Sequence, residues 1–233
     1  MDAERKILVV GKSHIWAIRR AIDQRGGARG VETVYILSEK VPKPEGKGVS
    51  HEVAYERIAG LEQGDAVFCS ISGGLHNHYG LFEIGPAFEI NGRTPPRTTL
   101  GVELIGESLL YHLFKKALAD EVIKKAHRSA PCRTFHLAVR PPGRENEPIE
   151  RCLAHRLKGR ALLAPHIRLQ MYQIETMAMR DLCTEIGTTF VEPPAEALDG
   201  DGFLVRDYWG EDTLHANEKY GELVLRQVEE LCG

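Results

Sequence analysis

A serine near one end of this sequence and an aspartate and histidine near the other stand in settings suited to acyl transfer. Ser13 lies in Gly11-Lys12-Ser13-His14, directly after an apolar run. Asp212 and His215 lie three residues apart in Asp212-Thr213-Leu214-His215-Ala216-Asn217, just ahead of a stretch with helical spacing. A carboxylate on one imidazole nitrogen fixes the tautomer and leaves the other nitrogen free to take a proton from a hydroxyl. Backbone N–H groups at a helix start can bind the developing oxyanion. Each fragment also has an ordinary explanation. A serine at a helix start caps free N–H groups, and an Asp-x-x-His can be a capping aspartate beside a surface histidine. His14 is a second candidate base, although a residue adjoining Ser13 is expected to point elsewhere on the helix.

A third chemistry-bearing stretch is Ser72-Gly73-Gly74-Leu75-His76-Asn77-His78. Its His-x-His could supply two metal ligands if His14, His215 or Asp212 completed the set. No third ligand has a diagnostic spacing, so neither metal nor cofactor is expected. Gly11-Lys12-Ser13 echoes the end of a P-loop, yet Lys6 stands where that motif needs its first glycine, and no Gly-x-Gly-x-x-Gly follows the first strand.

These residues need a scaffold, and the hydrophobic pattern supplies one. Continuous apolar runs at 7–10, 31–37, 65–71, 134–139 and 188–191 read as five strands. Helical spacing marks 15–22, 51–58, 102–127, 167–186 and 216–231. Residues 38–50 read as a polar connection and 72–99 as a long loop, a length usually tied to function. A second irregular, charged stretch opens at Pro141-Pro142-Gly143. Strands alternating with helices predict one α/β domain over 1–233, a flavodoxin-like three-layer sandwich with a five-stranded parallel sheet. In such sheets ligands bind beyond the carboxyl ends of the strands, where strand order reverses. That rule gathers the Ser13 turn, the 72–78 loop and the 211–217 loop at one end.

With those blocks in place, the sequence resembles the SGNH (GDSL-like) hydrolases. Gly11-Lys12-Ser13-His14 is similar to that family's first block, which carries the nucleophile. Asp212-x-x-His215 with Asn217 and Tyr220-Gly221 is similar to its last block. The similarity extends through 73–88, 167–187 and Gly202-Phe203-Leu204. The resemblance implies acyl-serine chemistry on an ester, by a hydrolase or an acyltransferase. Ser13 would be nucleophile, His215 general base and Asp212 its orienter. The oxyanion hole would combine the Ser13 N–H, a glycine N–H after the second strand (Gly46 or Gly48, with Gly48 preferred) and an asparagine side chain after the third. Here the sequence departs: the family's Gly-x-Asn is Gly73-Gly74-Leu75, and leucine cannot donate. Asn77 is the nearest replacement. An unreplaced donor would cost about 10²- to 10³-fold in kcat. Substrate contacts are expected from His14, Gly74, His76, His78 and Arg140, the last with Arg144 as a candidate anion contact.

Two other classes remain open at this level. One is a ligand-binding protein that keeps the triad residues without a working oxyanion hole; the other is a His-ligated metal-dependent hydrolase. Bulk composition excludes more. The 233 residues carry a net charge of −3, which argues against nucleic acid or an anionic membrane as partner. No apolar run reaches membrane-spanning length. The charged start of the chain has no signal-peptide pattern, and five scattered cysteines without a Cys-x-x-Cys pair read as reduced thiols. Cytoplasmic placement and a small-molecule or glycan ester substrate are the resulting expectations.

Overall fold

The computed structural model describes residues 5–37, 48–83, 85–92, 101–119, 121–157 and 160–233. Gly46 lies outside them. Five strands form the central sheet: β1 (Ile7–Gly11), β2 (Val31–Tyr35), β3 (Ala66–Ser70), β6 (Arg133–Leu137) and β7 (Thr189–Val191). Their order is β2-β1-β3-β6-β7 and every pairing is parallel. This is the expected flavodoxin-like order, with the reversal between β1 and β3. Gly11 stands opposite both Tyr35 and Ser70, so three carboxyl ends finish level.

Period-2 alternation sends β1 side chains into two cores. Ile7 and Val9 face α1 (Ile15–Arg25) and α8 (Glu218–Cys232). Leu8 and Val10 face α2 (His51–Ala59) and α5 (Glu121–Arg128). A third cluster joins α4 (Glu107–Leu118) to α7 (Pro165–Glu185). The sheet is thus buried on both sides, which explains its unbroken apolar runs. Helices α1 and α8 approach closely at Gly221, where a Cβ would lie 2.0 Å from the Ala17 carbonyl oxygen. That contact gives the glycine of Tyr220-Gly221 a packing role.

Four elements differ from the sequence expectation. The stretch expected as loop holds α3 (Leu75–Tyr79) and β4 (Phe88–Asn91). β4 pairs in parallel with β5 (Glu103–Gly106), so the helix expected from 102 starts at Glu107 instead. The apolar residues of β5 fit either period, and only the distant partner strand decides. The charged stretch after Pro141 contains α6 (Asn146–Leu157), whose Ile149 and Leu153 are buried one turn apart. Its Asn146-Glu147-Pro148 start is a legible helix signal that the preceding Pro-Pro-Gly obscured.

Candidate active site

The serine turn is built by close packing. A Cβ on Gly11 would lie 2.6 Å from the Ser70 carbonyl oxygen, so only glycine lets β1 pass β3 here. The Lys12 N–H donates to that same carbonyl at 3.2 Å. Ser13 follows, half-buried, and its carbonyl accepts the Trp16 N–H. His14, not Ser13, occupies the N-cap position of α1, and no side-chain hydrogen bond caps that helix. The ordinary capping explanation for Ser13 therefore fails.

Asp212 is not a helix cap either. Asn217 caps α8, accepting the Lys219 and Tyr220 N–H groups, while its own amide donates to the Asp207 carbonyl. Asp212 instead turns back on its own loop. One oxygen accepts the Leu214 and His215 N–H groups at 3.0 and 2.8 Å; the other meets His215 Nδ1 at 2.5 Å. Burial would raise the Asp212 pKa, but the hydrogen bonds and charge of His215 outweigh it and hold the carboxyl far below its ordinary range. The carboxylate thus fixes Nδ1 and leaves Nε2 as the free face of the ring.

Between these two residues Thr213 adopts φ 57°, the left-handed region that β-branched residues avoid. Arg140 holds it there. Its buried guanidinium donates to the carbonyls of Thr213 and Leu214, the latter at 2.9 Å, and to that of Pro141. Desolvation lowers its pKa to about 10, against the pull of the Asp212 charge. Three of its N–H groups are thus committed to carbonyls. In this structure Arg140 is a strut beneath the 212–215 loop.

The loops meet at His14. Its ring centroid lies 5.7 Å from that of His215, contrary to the expectation that it would point away. On its other side, Gly74 comes close enough that a Cβ there would lie 3.7 Å from His14 Nε2. Desolvation, then the charges of His215, Arg140 and His76, push the His14 pKa down to about 3, with Glu175 opposing. His215 makes its side-chain hydrogen bond to Asp212, and none joins it to Ser13 among the described residues. Behind this turn, His14, Ser70, Arg140 and Tyr220 line a cavity of about 20 Å³, and the buried Tyr220 hydroxyl has no partner.

Not every expected residue reaches the cluster. His76 is buried and faces Glu175 rather than a substrate space, a correction to its expected role. His78 is exposed, with its ring edge-on to Tyr79. Asn77 is half-buried on α3. Gly48 is exposed ahead of α2, its missing side chain replaced by the Tyr35 ring and Leu37. Leu75 packs against the α4–α7 core and its N–H donates to Glu175 at 3.0 Å, so nothing at position 75 donates into the site. Among the described residues no group of three or more His, Cys, Asp or Glu could hold a metal ion, and no helix is long and apolar enough to cross a membrane.

Two grooves flank the cluster. One of about 400 Å³ borders the 210–213 loop with Cys152, Arg206 and Trp209. The larger, about 550 Å³, runs along α7 past Pro141 and Glu192, with Gln170, Tyr172, Gln173 and Arg180 in its wall. It touches neither Ser13 nor His215. Sequence reasoning missed Glu175. The available signal was a lone carboxylate among Met171, Tyr172, Ala178 and Met179 on the apolar face of α7, since an ionisable group there needs a partner.

No family model and no curated protein matches this sequence. Solved structures do match its fold. One, described as a candidate platelet activating factor from Streptococcus pneumonia, superposes with a TM-score of 0.54 at 16% identity, covering 100% of this chain and 86% of the other. The periplasmic domain of a lipopolysaccharide acetyltransferase from Salmonella ser. Paratyphi A gives 0.50 at 11% identity, covering 99% and 84%. A GDSL-like lipase from Bacteroides thetaiotaomicron gives 0.46 at 10% identity, covering 99% and 91%. The chain, with its five-stranded parallel sheet, shares its α/β fold with the first two of these structures.

Proposed function

We propose that this protein transfers acyl groups from an ester through an acyl-serine, as a hydrolase or an acyltransferase. Ser13 attacks the carbonyl carbon while His215 Nε2 takes the hydroxyl proton. The tetrahedral oxyanion then collapses, and His215 returns the proton to the departing alcohol. Water, or an acceptor hydroxyl or amine, attacks the acyl-enzyme by the same route and frees Ser13. The observation that carries this reading is the Asp212–His215 pair, clamped by Arg140 on a strained loop whose histidine ring meets that of His14, the residue following a serine that caps nothing. His14 is not the base: with its pKa near 3 it is too weak to take a serine proton at neutral pH. The oxyanion donors in this reading are the Ser13 N–H, with Gly48 and Asn77 as the candidates for the remaining two. A small-molecule or glycan ester is the proposed substrate. The five free cysteines support a reducing compartment such as the cytoplasm.

One observation favours a second reading, a binding protein on the same fold. Leu75 occupies the oxyanion-donor position and is packed into the core. Intact-mass spectrometry after incubation with a fluorophosphonate separates the two. A single adduct on the wild type, absent from Ser13→Ala, is the outcome expected of the enzyme. No adduct on either, with both folded, would assign the protein to the binding class.

A further inference from the structure

The site contains a second carboxylate–imidazole pair that the triad does not use. Glu175 on α7 and His76 on α3 are 99 residues apart in sequence and both are buried, with side chains 2% and 1% exposed. One carboxylate carries three contacts from the β3–α3 loop. Its oxygens accept the Leu75 N–H at 3.0 Å and the His76 N–H at 2.9 Å, and His76 Nδ1 lies 2.6 Å away. Burial would raise the Glu175 pKa, but the charge and hydrogen bonds of His76 and the two backbone donors bring it below the ordinary value. The His76 ring packs edge-on to Tyr172, whose hydroxyl donates to the Val139 carbonyl, directly ahead of Arg140. His76 Nε2 is buried without a hydrogen-bond partner.

The loop so anchored is the family's third block, where an asparagine would donate to the oxyanion. Here its first two helical N–H groups point inward to α7. What the loop presents outward is Gly74, facing the ring of His14 across a gap wide enough for a Cβ, which would lie 3.7 Å from His14 Nε2. His14 in turn packs on His215 and follows Ser13 directly in the chain. A line of neighbouring groups therefore runs from Glu175 through His76 and Gly74 to His14 and the proposed catalytic base, and the charges of His76 and Glu175 are felt at His14.

We propose that Glu175 and His76 are a buried positioning pair that fixes the β3–α3 loop against His14 and so holds the Ser13 turn and His215 in register for acyl transfer. The proposal rests on the acyl-serine reading. Neither residue touches the reacting atoms; both act through His14. In place of a single asparagine that donates from position 75, this chain secures the loop from behind. Anchoring of this kind matters because a displacement of about 1 Å at the reacting groups can cost about 10²-fold in rate.

The test compares three variants. Glu175→Gln keeps the size but replaces one acceptor oxygen with an amide that cannot accept. It is expected to lower kcat, and the rate of fluorophosphonate labelling at Ser13, by about 10- to 100-fold with KM within about 2-fold. His76→Asn keeps a donor near the Nδ1 position and is expected to stay within about 3-fold of wild type. His76→Leu removes the donor and should fall with Glu175→Gln. Imidazole NMR provides a readout independent of turnover: the His14 and His215 ring signals should move in Glu175→Gln while the far-UV spectrum does not. A folded Glu175→Gln with wild-type kcat and unmoved ring signals would overturn the pair. If Glu175→Gln does not fold, His76→Leu decides by the same two readouts. Failure of the wild type to label, with the ring signals still moving, would remove the acyl-serine reading and leave the positioning pair standing.

Discussion

Asp212–His215 and Glu175–His76 are the same chemical pair in opposite surroundings. In the first the side chains are 51% and 36% exposed, and the partners lie three residues apart on one loop. In the second they are buried, and the partners lie 99 residues apart in a chain of 233. Both carboxylates accept two backbone N–H groups and bind an Nδ1, so each fixes a tautomer. The difference lies in what the other nitrogen meets. His215 Nε2 is on the ring of a half-exposed side chain, where a proton can arrive and leave. His76 Nε2 is sealed in the interior, where a proton cannot be exchanged with solvent at low cost. In the proposed mechanism, exposure and not the pair itself separates the catalytic dyad from the positioning one.

The sharpest way to break this comparison is to neutralise the exposed carboxylate. Asp212→Asn keeps the shape of the loop but no longer favours the tautomer with a free Nε2. The expected outcome is a loss of about 10⁴-fold in kcat, with little change in KM. A steady-state assay on any ester that labels-competent wild type turns over would check it. A rate within tenfold of wild type would mean that Asp212 orients nothing.

A smaller effect is expected from the strut beneath that loop. Arg140→Met removes the donors to the Thr213 and Leu214 carbonyls while filling the same apolar volume. Leaving buried acceptors unpaired costs about 1–3 kcal/mol each, and Thr213 would be free to leave its strained φ. The prediction is a destabilisation of about 3 kcal/mol by urea denaturation, with a rate loss of about 10²-fold. Unchanged kcat in a destabilised variant would show that the loop keeps its catalytic geometry without the guanidinium.

The same contrast governs what the sequence could reveal. Asp212 and His215 are local, so their spacing alone marks them, and Asn217 and Tyr220-Gly221 follow on the same helix start. The sheet is legible because β1 is apolar throughout and β3 nearly so, a pattern that a two-sided core favours. Glu175 and His76 meet only when α7 packs over the β3–α3 loop, and no local spacing records that. The β4–β5 pairing failed for the same reason: its partners lie fifteen positions apart in register, across a stretch that reads as loop. The strut role of Arg140 is not legible locally, because its carbonyl partners Thr213 and Leu214 come from the far end of the chain. His14 was expected to turn away from the site, and only the approach of the 211–217 loop shows that it turns inward.

The smallest effect concerns imidazoles that have no carboxylate at all. His127 and His136 are buried side by side, Nε2 to Nδ1 at 3.3 Å, beneath the sheet. Desolvation lowers His127 to about 4; desolvation and then the His127 charge lower His136 to about 3. In the unfolded chain both titrate near 6.5. Between pH 6.5 and the folded values the unfolded state therefore binds protons that the native state does not, so stability falls as pH falls through that window. The stabilisation is complete above pH 6.5, and each ring accounts for a loss of about 2 kcal/mol by pH 5. Urea denaturation at pH 7.5 and pH 5 checks this, and His136→Phe should flatten the slope by about one proton. Equal stability at the two pH values would mean that these rings reach solvent, and burial without a carboxylate would then no longer distinguish them from His76.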